Sequence, residues 1–408
     1  MPGQVRRTRT QVGIVGAGPA GLLLSHLLAR RGIDSVLVEL RSRAYCEARQ
    51  RAGVLEQGSC DLLRAAGLGA RLDAEGLEHG GIYLQFGGER HHLDFRDLAG
   101  ATVTVYAQTE VVKDLIAARL AAGAAMEFEV SDTEVQDLDT GTPILRYTGA
   151  DGIRREIACD AIAGCDGFHG ICRPSIPQGV LRVYERVYPY AWLGILAEAP
   201  PMGEIIYARH ENGFALHSLR SPTITRLYLQ CAPEEPLAGW PDTRIWDELQ
   251  RRLTVPGGPH LNEGPILQKS VTPMRSFVVE PMQYGRLFLA GDSAHIVPPT
   301  GAKGMNQAAA DVQVLSRAFV EFFERGSAAA LRSYSSACLD RVWKVQRFSR
   351  MMTDLLHLNP TDSPFDTRCR EAELAYLATS AAGAATFAEN YVGLPVSWIG
   401  RGAAKSVE

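Results

Sequence analysis

The sequence predicts an α/β fold with α+β insertions: a βαβ unit on a parallel sheet, an inserted mainly β region and a helical C-terminal region. Three observations carry this expectation. Residues 12–15, 18–30 and 35–39 read as a buried strand, a helix closed by Gly32 and a second buried strand. From about Gly80, short alternating runs take over at 81–86, 102–106, 127–130 and 144–147, followed by an apolar run at 159–164 and strand-like runs at 191–198, 205–208 and 224–230. A buried strand returns at 286–290. Beyond Gly304 the chain is helical in character, with few Gly or Pro until Asn359-Pro360. No repeat or low-complexity linker interrupts it, so the expected division is 1–175 with interspersed strands, an inserted β region over 176–275, and 276–408 returning to the first domain before the helical region.

Composition bounds the function. The chain has 408 residues, 46% hydrophobic and 22% charged, as an ordinary soluble globular protein of two or three domains would. A formal net charge of −4 gives no reason to expect a nucleic-acid partner. Eight cysteines without a CxxC pair exclude a zinc ribbon or disulfide scaffold and suit a reduced, cytoplasmic setting. No secretory signal is expected at the basic N-terminus, and no run reaches the roughly 20 apolar residues of a membrane span.

Three segments carry chemistry. Gly16-Ala-Gly-Pro-Ala-Gly21 falls between a predicted strand and helix, and Glu39 ends the next strand. Glycines let the backbone turn tightly and approach a pyrophosphate at a helix N-terminus, while the acid accepts hydrogen bonds from ribose hydroxyls. A Gly-rich turn that merely packs helix on strand is the alternative, and the motif does not separate FAD from NAD. The segment 285–292 is another buried strand ending in Gly291-Asp292, followed by Pro298-Pro299-Thr300-Gly301 and a helix from about Lys303. Its plainer reading is a strand, turn and helix whose Asp only caps. Gly164-Cys165-Asp166-Gly167 follows the apolar strand and, taken alone, is a simple turn. Only one GxGxxG is present, so a second dinucleotide is expected to bind transiently in a groove.

Residues 49–58, 103–110, 165–171, 275–282, 285–306 and 388–395 together resemble the 4-hydroxybenzoate 3-monooxygenase family of group A flavoprotein aromatic hydroxylases. The resemblance runs from about Gln11 to Pro395, through loops as well as core. It implies an FAD-binding Rossmann-like fold in which the β insertion holds the substrate. It also implies FAD contacts at Gly16, Gly18, Gly21, Glu39, Arg49, Arg51, Ala52, Gly53, Val54, Gln108, Asp166, Asp292, Lys303, Met305 and Asn306. Asp292 would meet the ribityl chain, and the helix after Lys303 would point its positive end at the flavin. Arg49, Arg51, His169 and Arg275 would line a nicotinamide groove.

On the same resemblance, Arg220 holds a substrate carboxylate with help from Ser218 and Tyr228, since a guanidinium binds a carboxylate bidentately. The phenol meets Tyr207 and the carbonyl of Pro299, and its proton passes through Tyr391 toward His79. A phenol of pKa about 10 must ionise near neutrality to become electron-rich, which costs on the order of 3 to 4 kcal/mol. A relay ending in histidine exchanges that proton with solvent. Read without the resemblance, Arg220 is a surface ion-pair member, each tyrosine a core aromatic and His79 a loop histidine.

The implied reaction is hydroxylation of 4-hydroxybenzoate to 3,4-dihydroxybenzoate (protocatechuate) in aromatic hydrocarbon catabolism. It uses NADH or NADPH and dioxygen, proceeds through a flavin 4a-hydroperoxide, and is expected of a homodimer without metal or membrane association. Two departures stand out: Ala20 where Ser can occur, and Leu40 where members dependent on NADPH carry Arg. The segment 40–45 suits members that accept NADH, so NADH use at least equal to NADPH is expected. Rival readings are a hydroxylase of 4-aminobenzoate or 3,4-dihydroxybenzoate, and a non-catalytic FAD-fold binding protein.

Overall fold

The structure, a computed structural model, describes residues 5–49 and 53–396. Its first strand, Arg6–Val15, is longer than the apolar run at 12–15 because its polar half is held by the ladder rather than by burial. Arg6 to Thr10 pair in parallel with Arg155 to Cys159, and Arg7 and Arg9 reach Glu156 and Asp160 across the pair. From Val12 the side chains are buried, and Ser35–Val38 joins on the other side. The helix Pro19–Ala29 buries Leu22, Leu23, Leu24 and Leu28, which places its N-terminus at the carboxyl end of the first strand.

This first sheet has eight strands. Along its main path the order is Gln283–Tyr284, Leu287–Leu289, Arg154–Gly164, Arg6–Val15, Ser35–Val38 and Ala125–Glu127, with Ile144–Thr148 and Ser131–Gln136 branching from Arg154–Gly164. Four junctions between neighbours are parallel, as a βαβ fold requires. The strand expected at 127–130 is shifted: Ala125–Glu127 pairs with Val36 to Val38, and the chain then turns at Glu129, whose φ is 59°.

The second eight-stranded sheet runs His295–Ile296, Ile266–Glu280, Arg182–Ala197, Thr225–Cys231, Gly213–Leu219, Ile205–His210, Gly81–Phe86 and Glu89–Asp94. It therefore draws strands from three stretches of sequence. The apolar run at 191–198 is only the buried half of Arg182–Ala197, whose outer half is largely exposed; a register shift between Val187 and Ala191 separates the halves. An unanticipated helix, Asp242–Leu253, covers the back of this sheet with Ile245, Trp246, Leu249 and Leu253. Their helical spacing is plain once seen, but they sit among charges in a region that otherwise alternates.

Gly304–Arg325 and Ala329–Leu356 are long helices, and Pro364–Thr379 and Ala381–Val392 complete the C-terminal region. Pro364–Thr379 starts from a reciprocal cap between Ser363 and Asp366. The front of the second sheet meets these helices in one apolar cluster, where Tyr207, Phe214, Leu216 and Trp192 join Phe348, Phe387 and Tyr391. Among the described residues no helix is long and apolar enough to cross a membrane.

The closest approach in the first βαβ unit is at Gly21, where an added Cβ would strike the carbonyl oxygen of Gly16. Gly21→Ala is expected to lower unfolding free energy by roughly 1–3 kcal/mol, read from urea denaturation. An unchanged midpoint would mean that the turn relaxes freely.

Candidate active site

Each glycine of the first turn has a separate job. Gly16 adopts φ 105°, and a Cβ there would strike the Cys165 carbonyl, so this glycine lets the two strand ends meet. A Cβ on Gly18 would meet nothing within 4 Å, which leaves open space before the helix N-terminus. Gly18 caps that helix without a side-chain bond, Pro19 follows, and the first turn has no acidic residue. Glu39 fixes the turn: its Oε2 accepts from the Ala17 N–H at 2.6 Å and its Oε1 from Arg41 N–H at 2.8 Å. The opening, the unsatisfied helix donors and the adjacent acid fit the pyrophosphate and ribose of a dinucleotide.

The other two segments converge here. Gly291 lies at φ 67° and donates its N–H to Asp311 Oδ2 at 2.9 Å, and His295 Nε2 meets the same oxygen at 2.6 Å. Ser293 Oγ donates to the Gly164 carbonyl at 2.6 Å, tying this turn to the Asp166 loop and leaving Asp292 exposed. Asp166 Oδ2 accepts from the Cys172 N–H at 2.8 Å. Its Oδ1 is buried without a partner among the described residues, and burial raises the carboxyl pKa.

Near the start of Gly304–Arg325 is a buried ionic network. Lys303 donates from Nζ to Glu56 Oε1 and to the Tyr391 carbonyl, both at 2.7 Å, while Arg341 donates to Glu56 Oε2 at 2.6 Å. Burial lowers the Lys303 pKa, and the Glu56 carboxylate works against that. Asn306 bridges the helix to the strand Val54–Glu56: its Oδ1 accepts from the Glu56 N–H and its Nδ2 donates to the Val54 and Ala302 carbonyls, each at 2.9 Å. Gly53 lies alongside, accepting from the Tyr106 N–H at 2.7 Å. The two cations exceed the one carboxylate, and the helix end beside them adds positive potential from its free N–H groups, with Met305 in the first turn. An anionic ring system suits that position.

The front of the second sheet forms a wall. Tyr207 and Tyr228 both lie opposite Leu216, and Ser218 opposite Arg226. The hydroxyls of Tyr207 and Tyr391 are 2.8 Å apart and fully buried; burial raises both pKa values, so both remain protonated near neutrality. Arg220 is largely buried and donates to Thr109 Oγ1 at 2.9 Å, linking this wall to the first turn of the helix Gln108–Ala121. Behind the wall, Trp192 packs on Tyr228 and donates to His357 Nε2 at 2.6 Å. Burial pushes the His357 pKa down to about 3, so it stays neutral and is a fixed acceptor. The Pro299 carbonyl accepts from Ala302 N–H at 2.9 Å within a tight turn. His79 is buried on Leu77–His79, and its Nε2 has no hydrogen-bond partner among the described residues.

Of the expected groove residues, His169 and Arg275 come together on Phe168, with ring centroids 5.0 Å apart for His169 and the guanidinium of Arg275 4.7 Å from the ring. Arg173, not anticipated, stacks on the same ring at 4.6 Å. Arg49 is exposed at the end of the helix Arg43–Ala48 and bonds to neither among the described residues. Arg51 and Ala52 lie outside the described residues.

A family model described as an FAD binding domain matches residues 9–349. The chain belongs to this FAD-binding family of aromatic hydroxylases. It is 49% identical over 389 residues to p-hydroxybenzoate hydroxylase of Acinetobacter baylyi, covering 95% of this chain and 96% of that one. It is 27% identical to kynurenine 3-monooxygenase of Salinispora tropica, over 93% and 84% of the two chains. In fold it matches p-nitrophenol 4-monooxygenase from Pseudomonas putida with a TM-score of 0.81 and 17% identity, over 96% of this chain and all of that one.

In this flavoprotein family member, Glu56 and Arg341, like Arg173, are site residues that sequence reasoning missed. Glu56 lies within the segment 49–58 that carries the resemblance, but its partners are 247 and 285 positions away, and no local signal pairs them. Glu56→Gln would leave two buried cations without their counter-charge. The expected loss is about 3–5 kcal/mol of unfolding free energy, measured by urea denaturation, together with weaker flavin retention on gel filtration.

Proposed function

We propose that this chain is an FAD-dependent monooxygenase that hydroxylates 4-hydroxybenzoate to 3,4-dihydroxybenzoate, using NAD(P)H and dioxygen. The observation that carries this reading is the buried hydroxyl pair, 2.8 Å apart, between Tyr391 of the helix Ala381–Val392 and Tyr207, which shares its sheet with Ser218 and Tyr228, with Arg220 just past the end of the strand Gly213–Leu219. When bound, FAD supplies acceptance of hydride from the nicotinamide and activation of dioxygen. The relative from Acinetobacter baylyi supports the choice of substrate.

The chain's own residues orient and ionise the substrate. Arg220, with Ser218 and Tyr228, holds the carboxylate, and the guanidinium selects acids over neutral phenols. At the far end Tyr207 accepts the phenol's proton while passing its own to Tyr391, with the Pro299 carbonyl fixing the ring. A relay of two hydroxyls moves charge without either tyrosine remaining ionised, which suits their raised pKa values. The aromatic wall of Trp192, Phe214 and Tyr228 excludes water. FAD is assigned to Gly16, Gly18, Gly21, Glu39, Gln108, Asp166, Asp292, Met305 and Asn306, with the Lys303 network acting electrostatically. His169 and Arg275 serve the nicotinamide pyrophosphate.

NADH use at least equal to NADPH is part of this proposal. Leu40 follows Glu39 and is exposed, Arg43 is engaged with Glu47 at 2.7 Å, and Arg41 stacks over Tyr45 at 5.3 Å. We further assign the enzyme to aromatic catabolism in the cytoplasm, which the eight free cysteines favour, and to a homodimer by family likeness, testable by light scattering.

The purified enzyme should oxidise NADH at least as fast as NADPH, only when 4-hydroxybenzoate is present, with 3,4-dihydroxybenzoate matching the nicotinamide consumed. Peroxide alone would point to a different benzoate, and no stimulation would refute the enzyme reading. Tyr391→Phe should lower kcat by about 100-fold with little change in KM, whereas Arg220→Gln should raise KM. Steady-state kinetics with product analysis separates these effects.

A further inference from the structure

The relay raises a question that the two tyrosines leave open: where the proton goes after His79. Tyr391 packs on Phe95 with ring centroids 4.9 Å apart, and the Phe95 N–H donates to the Gly80 carbonyl at 2.6 Å. Those contacts bring the buried end of the relay to the residue next to His79. Beyond His79 the chain enters Gly81–Phe86, whose parallel partner Ile205–His210 pairs Ile205 with Ile82. Glu204, one residue before that register begins, thus stands beside Gly81 at the sheet's end. On the other side of Gly81, His92 comes from Glu89–Asp94, and a Cβ on Gly81 would press on its Nε2. His92 Nε2 and Glu204 Oε2 are 2.6 Å apart, and both side chains are part-exposed, at 38% and 28%.

We propose that Glu204, held by His92, is the solvent-side positioning residue of the proton relay, acting through His79. This rests on the hydroxylase reading above. The proton leaves the substrate hydroxyl, passes along Tyr207 and Tyr391 to His79, and departs to water beside the Glu204 carboxylate, with no net change in the relay groups.

The electrostatics around His79 support the assignment. Burial lowers the His79 pKa, and Glu204 is the carboxylate that works against it. His217 faces it from Gly213–Leu219, but burial pushes that ring down to about 4 and its Nε2 accepts from the Met202 N–H at 3.0 Å, so it stays neutral. Glu78, on the same strand as His79, is paired with Arg96, and Arg90 lies on the strand that carries His92. Without Glu204, a buried imidazole would resist protonation and hold the relay back. Gly80 and Gly81 matter for the same reason: side chains there would crowd Arg96 and His92.

The test is a histidine NMR titration of the FAD- and 4-hydroxybenzoate-bound enzyme, with the His79 signal assigned by its loss in His79→Gln. Because Glu204 favours the charged imidazole, Glu204→Gln should move the His79 midpoint acidward by about half to one pH unit. The matching limb of the pH profile for nicotinamide oxidation should move with it. Glu204→Asp, which keeps the charge, should return both toward the original values. Should Glu204→Gln fail to fold, His92→Ala gives an independent reading: it frees the carboxylate from its hold, and the His79 midpoint should again move acidward, though by less. An unmoved His79 in an enzyme that still turns over would overturn the role of Glu204 alone. Absent substrate-stimulated turnover in the unmodified enzyme would instead overturn the hydroxylase reading on which the path depends.

Discussion

The side chain of Glu56 is the point on which the site depends. It is buried and receives Lys303 on one oxygen and Arg341 on the other. Through Lys303 it reaches the Tyr391 carbonyl, and Arg341 extends to Gln307 and to the Leu394 carbonyl. One carboxylate therefore connects the strand Val54–Glu56, the start of Gly304–Arg325, the long helix Ala329–Leu356 and the end of Ala381–Val392. Ions this deep are held only by mutual pairing, because each alone would face a desolvation cost of several kcal/mol. The tolerance for movement is correspondingly small.

That constraint also sets the sign of the local potential. Two cations against one anion, beside the free N–H groups of a 22-residue helix, leave the region positive. Tyr391, whose hydroxyl pairs with that of Tyr207, has its carbonyl bound to Lys303. The residue proposed to relay the substrate proton is thus fixed by the same network that leaves this region positive. Packing around Gly393 reinforces this, since a Cβ there would collide with the Glu56 carboxylate.

Much of this was legible in the sequence, for physical reasons that can be named. The turn at Gly16 to Gly21 was readable because Gly16 and Gly21 answer local steric demands while Gly18 leaves the approach open, and the burial of 12–15 and of Leu37 and Val38 follows from apolar runs. The helix Asp242–Leu253 was not, because a region dominated by alternation masks one amphipathic segment. The outer half of Arg182–Ala197 was also hidden, since an exposed ladder carries no apolar signature. Of the site, the tyrosine pair and Arg220 came from resemblance alone. Their contacts at 2.8 Å between Tyr207 and Tyr391 and 2.9 Å from Arg220 to Thr109 could not be read from spacing.

The placement of Gly81–Phe86 and Glu89–Asp94 gives the architecture its coherence. These strands precede the main β insertion in sequence, yet complete its sheet. Crossing over in this way brings His79 to the seam between the small sheet of Val54–Glu56, Leu77–His79 and Val103–Val105 and the sheet that carries Tyr207. Arg220 spans the two units at a second point through Thr109, whose neighbour Gln108 opens the helix next to the cofactor cradle. On the reading proposed above, a carboxylate at Arg220 would bear mechanically on the cofactor side, and an ionised phenol would bear on it electrostatically through Tyr391 and Lys303. On that reading, the two ends of one small aromatic acid address the same flavin by these separate routes.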